Sequence, residues 1–438
     1  MVSGQESTTV GMTMDSVKIR RVLKTTGLSA LVVLSAWHFL FAYQQARKFN
    51  FALDFQIFAQ TTAVFSQTGT LYPQADDLEH FDPGTPIYKF PPLLALLIRP
   101  FVADGSVTST VYNGHWILQG VLFLAAALLC LRVTGLKRGW AVAFGILLVN
   151  YEPFFETLWR LQLETPILLL LVGCGWALRK RNDLLAGALL GIAVMLKIYP
   201  VFLAGYLLFR WRWRALVALA SSVSVLLLIE MFLMDVGEIR TYYFRILPYL
   251  LSEPPVGGSE NVGLARYLID YAGLAGNVAK RCVQGVMILG LLTFVGLFRR
   301  GGEGSSEAKT WLEFGLFISL MLTVMPNSWV NYQLLLVIPL AAIFSELQSN
   351  AQSAQRWLPW VALAVLPLLF YQPCADPSVG WPCAQTPSFL GLGALPRGLH
   401  DLFVLLRGFS APLLLAIGVG LHYGGRSQST MRASSHEA

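Results

Sequence analysis

Long apolar runs constrain this chain more than any other feature. A helix that crosses a bilayer needs about 20 mostly apolar residues. Ten uninterrupted runs approach or exceed that length, and an eleventh, 183–210, is broken by Lys197, Tyr199 and Pro200 into two shorter helices that meet at the outer face. We therefore predict an all-α polytopic membrane protein with about 12 transmembrane helices. The uninterrupted runs are 22–43, 109–132, 139–156, 163–179, 215–235, 278–298, 311–326, 330–347, 357–372 and 400–422.

The composition excludes several soluble classes. Charged residues make up 13% of the chain and hydrophobic residues 55%, whereas soluble domains are about one quarter charged. A cytosolic enzyme, a disulfide-rich secreted domain and a nucleic-acid binder are therefore excluded, although the net charge is +7. The basic excess is instead a signal of membrane topology.

The distribution of charge predicts the orientation. With the amino terminus inside, the tails and inner loops hold 19 of the 32 Lys and Arg residues but only 8 of the 25 Asp and Glu residues. Because basic residues near span ends resist translocation, we predict a multi-pass protein of the cell inner (plasma) membrane with cytoplasmic tails at 1–21 and 424–438. If the apolar piece 90–103 crossed the membrane, every later loop would invert, so we predict that it lies along the outer interface.

Three long outer loops interrupt the membrane domain 22–423, namely 44–108, 236–277 and 373–399. Long loops carry function more often than tight turns do, so we expect the chemistry on the outer, periplasmic side. Cys374 and Cys383 lie in the last loop, where a disulfide and two free thiols are equally compatible with the sequence.

Asp54, just outside the first span, has two interpretations. Asp is a favoured helix N-cap, and it precedes a helical stretch that starts near Phe55. A partly desolvated carboxylate at that depth would also be a general base near neutral pH. Position alone favours the cap.

Several basic residues lie at predicted outer turns. Lys89 can hold a phosphate or extend to lipid headgroups. Arg160 and Glu164 are spaced to pair along one helix or to contact a substrate, with Gln162 between them. Lys197 can satisfy carbonyls freed by Pro200, but an anionic phosphate explains a lysine in this apolar run better.

The later outer segments add two further groups. Asn261 and Arg266 precede a short apolar helix, and Arg266 is a second candidate phosphate contact. Trp329, Asn331 and Tyr332 place indole, amide and phenol donors where a sugar would fit, although an aromatic belt at the interface also explains the two rings. The six histidines are scattered, so we predict no metal site.

Taken together, these stretches resemble glycosyltransferase family 87, the polyprenol-phosphate-dependent mannosyltransferases of the GT-C superfamily. The matching pieces are Asp54-Phe55, Gly69-Thr70-Leu71-Tyr72, the Tyr-Lys-Phe-Pro-Pro-Leu-Leu-Ala-Leu-Leu segment at 88–97, Gln162, the Ala-Gly-x-x-x-Gly to Lys-x-Tyr-Pro stretch at 186–200, the Arg-Trp-Arg-Trp-Arg loop at 210–214, the Asn-x-Gly loop at 261–266 and the Pro-x-Ser-Trp segment at 326–332.

The resemblance implies a GT-C fold with outer-face juxtamembrane helices and an inverting hexosyltransferase with Asp54 as base. The donor implied by the resemblance is a polyprenyl-phosphate-linked sugar, mannose in this family, and the implied acceptor is a glycolipid or glycan. We expect a metal-independent reaction without a cofactor, in which Lys197, Arg266 and Lys89 bind the donor phosphate. The expected sugar and acceptor contacts are Tyr88, Gln162, Glu164, Tyr199, Asn261, Trp329, Asn331 and Tyr332.

Two positions depart from the family pattern. Where the family has Gly-Gln-x-Asn, this chain has Leu161-Gln162-Leu163-Glu164, and Asn331 stands where many members have a histidine. A neutral amide cannot shuttle a proton as imidazole can. The alternative function is a transporter or flippase of a lipid-linked sugar, which predicts polar residues spread to mid-membrane. A structural scaffold leaves Asp54 and Lys197 unexplained.

Overall fold

The computed structural model describes residues 26–27, 29–40, 42–44, 53–73, 88–102, 109–252, 255, 261–299, 307–369, 402 and 405–422. Within these ranges the regular structure is helical, apart from one isolated bridge between Asn261 and Trp329. The all-α prediction is therefore confirmed. The predicted tails, the loop 373–399 and the pairing of Cys374 with Cys383 lie outside the described residues.

In the first half of the chain, the described residues form ten helices. They are α1 (Ser29–Gln44), α2 (Leu53–Thr68), α3 (Pro92–Ile98), α4 (Ser109–Thr134), α5 (Arg138–Val149), α6 (Glu152–Arg160), α7 (Glu164–Arg179), α8 (Asp183–Leu196), α9 (Ala204–Phe209) and α10 (Trp213–Leu233).

The second half begins with short helices and ends with long ones. They are α11 (Val236–Thr241), α12 (Leu247–Ser252), α13 (Leu264–Asp270), α14 (Gly276–Arg299), α15 (Glu307–Val324), α16 (Val337–Ser349), α17 (Ala351–Leu369) and α18 (Ser410–His422). Single 3-10 segments precede α9 and α16, at Tyr199–Leu203 and Val330–Leu336, and a third, Arg99–Phe101, follows α3.

Five of the described helical stretches are long and apolar enough to cross a membrane, which is consistent with the predicted membrane protein. They differ in position. In Val330–Ser349, 83% of the most apolar window is buried by protein, but in Trp213–Leu233 only 11% is. The first is therefore central and the second is left to face lipid. The stretches are Ser109–Thr134, Arg138–Arg160, Trp213–Leu233, Gly276–Gly296 and Val330–Ser349.

The predicted break in the run 183–210 is present. Helix α8 ends at Leu196, Lys197 adopts an extended conformation, and the 3-10 turn Tyr199–Leu203 has Pro200 in its first turn. Proline has no N–H to donate to the carbonyl four residues back, here that of Leu196, and its ring clashes with that carbonyl, so the α-helix stops at Leu196. The break places the Lys197 side chain at the end of a helix.

Within the predicted interfacial segment 90–103, residues 92–101 are helical. Pro91 and Pro92 begin α3, because proline is preorganised for the first helical turn and needs no hydrogen-bond partner there. Leu97 and Phe101 are exposed, whereas Leu94 and Ala95 are buried. An apolar exposed edge suits a lipid interface, and the flat orientation of the segment stays a prediction.

Small residues bring α8 and α10 into close contact. A Cβ atom added at Gly187 would overlap the backbone carbonyl oxygen of Ala215, and one added at Gly191 would lie 2.7 Å from the Cβ of Ser222. Glycines one turn apart let two membrane helices approach backbone to backbone. This contact fixes α8, and hence the position of Lys197 at its end.

We expect Gly187→Val to lower stability by about 1–3 kcal/mol, since the added side chain must push α10 away. The measurement is the midpoint of thermal unfolding in detergent. Gly145→Ala is the matched control, because a Cβ at Gly145 has no neighbour within 4 Å. A Gly187 variant as stable as the control would show that this helix contact is not tight.

Candidate active site

The carboxylate of Asp54 faces the turn between α6 and α7. Asp54 lies in the first turn of α2, and its side chain is 22% exposed. Its Oδ2 accepts a 2.6 Å hydrogen bond from Nε2 of Gln162 and lies 3.7 Å from a terminal guanidinium nitrogen of Arg160. Asp54 is the second residue of α2 and not its N-cap, and its side chain bonds across to the turn between α6 and α7.

A strained residue forms this turn. Leu161 has φ +50°, in the left-handed region, and ends α6. The N–H of Leu161 donates to the carbonyl of Leu158, and the N–H of Gln162 donates to that of Thr157, the pattern of a Schellman motif. This position usually takes glycine, since a side chain there costs about 1 kcal/mol or more. The buried Leu161 side chain offsets that cost through packing.

Lys197 forms the second charged centre of the site and is only 7% exposed. Its Nζ donates to Oε1 of Glu164 at 2.5 Å and to Oε1 of Gln162 at 3.2 Å. A buried ammonium stays charged when a carboxylate contacts it directly. Gln162 therefore joins Asp54 on one side to Lys197 on the other.

Aromatic rings surround the Lys197 ammonium. Nζ lies 4.3 Å from the ring centroid of Tyr332 and 5.2 Å from that of Phe90, within the range of cation–π attraction. The rings of Tyr332 and Tyr199 stack at 5.1 Å. Tyr332 lies in the 3-10 turn Val330–Leu336 before α16, so three distant parts of the chain meet at this cation.

The segment that carries Phe90 is held by tyrosine hydroxyls. Tyr72 donates to the carbonyl of Phe90 at 2.7 Å, and Tyr88 donates to that of Pro91 at 3.1 Å. Burial raises the pKa of the Tyr88 phenol well above its ordinary value, so this donor stays protonated. Lys89 lies half-buried between Tyr88 and Phe90.

Asn261 and Arg266 belong to a second cluster. Oδ1 of Asn261 accepts from the backbone N–H groups of Gly263 and Ser328, and its backbone bridges to Trp329. Nε of Arg266 donates to Asp270 at 2.8 Å, and a terminal nitrogen donates to the carbonyl of Asn261. This cluster fastens the start of α13 to the segment that leads to Tyr332.

The structure thus joins six of the predicted site residues into one group, here called the central group. Its members are Asp54, Gln162, Glu164, Lys197, Tyr199 and Tyr332. Tyr88 borders this group through Phe90, at 5.8 Å between ring centroids. Asn261, Arg266 and Trp329 lie in the second cluster, and Asn331 precedes Tyr332 in the same turn. The catalytic and binding roles of all these residues stay predictions.

The structure places Arg160 beside Asp54 and Gln119 behind the Gln162 turn, and the sequence did not predict either contact. Arg160 pairs with Glu156 at 2.6 Å and reaches toward Asp54. Gln119, on α4, donates to the backbone carbonyl of Gln162 at 2.7 Å and thereby fixes the turn. A glutamine in an otherwise apolar span was the available signal, because intramembrane polar groups usually have a partner.

Two buried polar atoms of the central group, and one of Asn331 beside Tyr332 in the chain, make no hydrogen bond within the described part of the chain. They are Oε2 of Glu164, the hydroxyl of Tyr199 and Nδ2 of Asn331. An unsatisfied buried polar group costs about 1–3 kcal/mol. Together they offer a carboxylate acceptor, a hydroxyl and an amide donor, a set suited to a ligand that carries several hydroxyl groups.

The described residues contain no group of three or more His, Cys, Asp and Glu side chains that could hold a metal ion. The charges of the central group come from Asp54 and Glu164 and from Lys197, with Arg160 beside Asp54. The arrangement can therefore accept a proton at one end and stabilise an anion at the other.

These features define an all-helical membrane protein with a buried polar site at the ends of its helices. A family model described as Glycosyltransferase family 87 matches residues 88–326, more than half of the chain. The protein belongs to glycosyltransferase family 87, which indicates a membrane glycosyltransferase. The matched stretch includes Gln162, Glu164 and Lys197, whereas Asp54 precedes it and Tyr332 follows it. Searches of curated proteins and of solved structures found no match.

Proposed function

We propose that this protein is an inverting, metal-independent glycosyltransferase of the GT-C type, with Asp54 as general base. The donor is a polyprenyl-phosphate-linked sugar, mannose by resemblance to the family, and the acceptor is a glycolipid or glycan at the outer face of the inner membrane. The observation that carries this proposal is the chain of hydrogen bonds from Asp54 through Gln162 to Lys197. It holds a base and a cation in one water-poor site.

The reaction needs both ends of this hydrogen-bond chain, Asp54 and Lys197. Asp54 takes the proton of the acceptor hydroxyl while that oxygen forms a bond to the anomeric carbon. The bond from the anomeric carbon to the phosphate oxygen breaks on the opposite face, and its electron pair stays on the phosphate. Gln162 occupies Oδ2 of Asp54, and none of the described residues bonds Oδ1, which is left for the acceptor.

Lys197 stabilises the departing phosphate. A phosphate oxygen that replaces the Tyr332 ring at the ammonium forms a charge-assisted hydrogen bond, which is stronger than the ring contact. Because the phosphate needs little protonation, no second carboxylic acid is required. Lys89 and Arg266 remain candidate phosphate contacts. Arg266, however, is already paired with Asp270 in the second cluster.

The three unsatisfied atoms on Glu164, Tyr199 and Asn331 support sugar binding. Oε2 of Glu164 would accept from one sugar hydroxyl, while Nδ2 of Asn331 would donate to another. The exposed apolar edge of α3, at Leu97 and Phe101, is suited to the polyprenyl tail. Incubating the purified protein with radiolabelled polyprenyl-phosphate-mannose and a panel of glycolipids tests this function. The product is expected to have the inverted anomeric configuration.

We expect the transfer rate to be unchanged by EDTA, because a protein ammonium rather than a divalent ion stabilises the leaving phosphate. The measurement is the initial rate with and without chelator, after extensive dialysis against it. A metal-dependent glycosyltransferase in the same buffer serves as the positive control. Loss of transfer that added Mg²⁺ or Mn²⁺ restores would contradict this part of the proposal.

A further inference from the structure

Gln162 uses both ends of its side-chain amide inside the protein. Nε2 donates to Asp54 at 2.6 Å, and Oε1 accepts from Lys197 at 3.2 Å. The orientation of the amide is determined, because a carboxylate only accepts hydrogen bonds and an ammonium only donates them. The backbone of Gln162 is also held, by Gln119 at its carbonyl and by Thr157 at its N–H.

The neutral amide keeps the Asp54 carboxylate and the Lys197 ammonium out of direct contact. A lysine in direct contact with Asp54 would stabilise the carboxylate and weaken it as a base. The same contact would also remove Lys197 from the phosphate. Glu164 supplies Lys197 with a separate counter-charge at 2.5 Å, so the ammonium can remain buried without consuming the base.

We infer that Gln162 is a positioning residue that holds the base Asp54 and the cation Lys197 in one site while keeping them apart, instead of a contact for the sugar. This inference rests on the proposed function. In this inference the amide sets the distance between Asp54 and Lys197. The acceptor oxygen, the anomeric carbon and the leaving phosphate must fit within that distance.

The charges that face Asp54 determine how a substitution at Gln162 acts. Arg160 approaches from α6 with its partner Glu156, and Lys197 with its partner Glu164 lies beyond the amide. The Tyr332 hydroxyl also interacts electrostatically with Asp54. None of these groups changes when Gln162 becomes glutamate, so the added carboxylate is the only new charge.

The test is Gln162→Glu, read as the pH dependence of kcat/KM. The new carboxylate would replace the Nε2 donor at Asp54, and two carboxylates in contact share a proton, which raises the pKa of the pair. Because the base must be deprotonated, we expect the acidic limb of the profile to move up by about one pH unit or more. Gln60→Glu is the matched control, since Gln60 is exposed on the same helix as Asp54.

A second variant keeps the inference testable if Gln162→Glu does not accumulate. Gln162→Met retains length without either hydrogen bond, and we expect kcat to fall about 100-fold with little change in donor KM, as for a misplaced catalytic group. An unmoved acidic limb, or a raised KM with kcat unchanged, would overturn the inference. If Asp54→Asn also transfers sugar normally, the proposed function fails instead, so the two failures are distinguishable.

Discussion

Asp54→Asn is expected to lower sugar transfer by about 100- to 10,000-fold, the contribution of a positioned general base. An amide has nearly the same shape and still accepts a hydrogen bond through its oxygen, but it takes no proton at neutral pH. The substitution replaces a carboxylate with a neutral amide, so it adds no charge. The amide oxygen can still accept the hydrogen bond from Gln162, and the side chain is partly exposed. We therefore expect normal folding and donor binding with a lowered kcat.

Asp235→Asn is the matched control for that experiment. Asp235 is exposed and caps α11 through the N–H of Gly237, and Asn caps a helix as well as Asp does. The control removes one exposed carboxylate without touching the central group. Transfer by Asp54→Asn at the rate of the control would remove Asp54 from the mechanism.

Lys197→Met is expected to affect both transfer and stability. Removing the cation that stabilises the leaving phosphate should lower kcat by about 100- to 1,000-fold. It also leaves the carboxylate of Glu164 buried without its counter-charge, and breaking a buried pair in this way costs about 3–5 kcal/mol. The single variant alone cannot separate these two effects.

The double variant Lys197→Met with Glu164→Gln separates them. Neutralising both partners removes the unpaired charge, so we expect thermal stability to return toward the wild-type value while transfer stays low. Arg212→Met is a control for loss of a more exposed ion pair, because Arg212 bonds Asp183 at the other end of α8. A double variant that is stable and transfers at the wild-type rate would contradict the role of Lys197.

The helical membrane architecture could be predicted from local sequence. Long apolar runs allow few structures besides helices in a bilayer, and Pro200 makes the break after Leu196 readable. The start of α3 at Pro91 and Pro92 follows from the same chemistry. The total of about 12 spans remains a prediction, because five described stretches meet the length and hydropathy needed.

The pairing within the site could not be predicted in the same way. Local spacing offered Arg160 with Glu164 on one helix, but Leu161 ends that helix, and Arg160 pairs with Glu156 instead. Leucine is rarely left-handed, so no sequence rule predicts this turn. Glu164 meets Lys197 from another helix, a contact that only the packing of α7 against α8 decides.

Asn261 shows a further limit of sequence reasoning. Its predicted contact with sugar or acceptor follows from the family resemblance of the Asn-x-Gly loop at 261–266. In the structure its oxygen is occupied by two backbone N–H groups and its nitrogen by Asn327. The same residue type serves ligand binding and loop closure, and composition does not distinguish them.

We propose that this membrane protein transfers a sugar from a polyprenyl-phosphate donor using Asp54 as base. Radiolabelled donor followed in proteoliposomes tests this, because label in the glycolipid and donor movement between leaflets can be scored in the same sample. We expect label in the glycolipid with wild-type protein, almost none with Asp54→Asn, and no increase in donor movement. Donor movement between leaflets without sugar transfer would contradict it and favour a flippase.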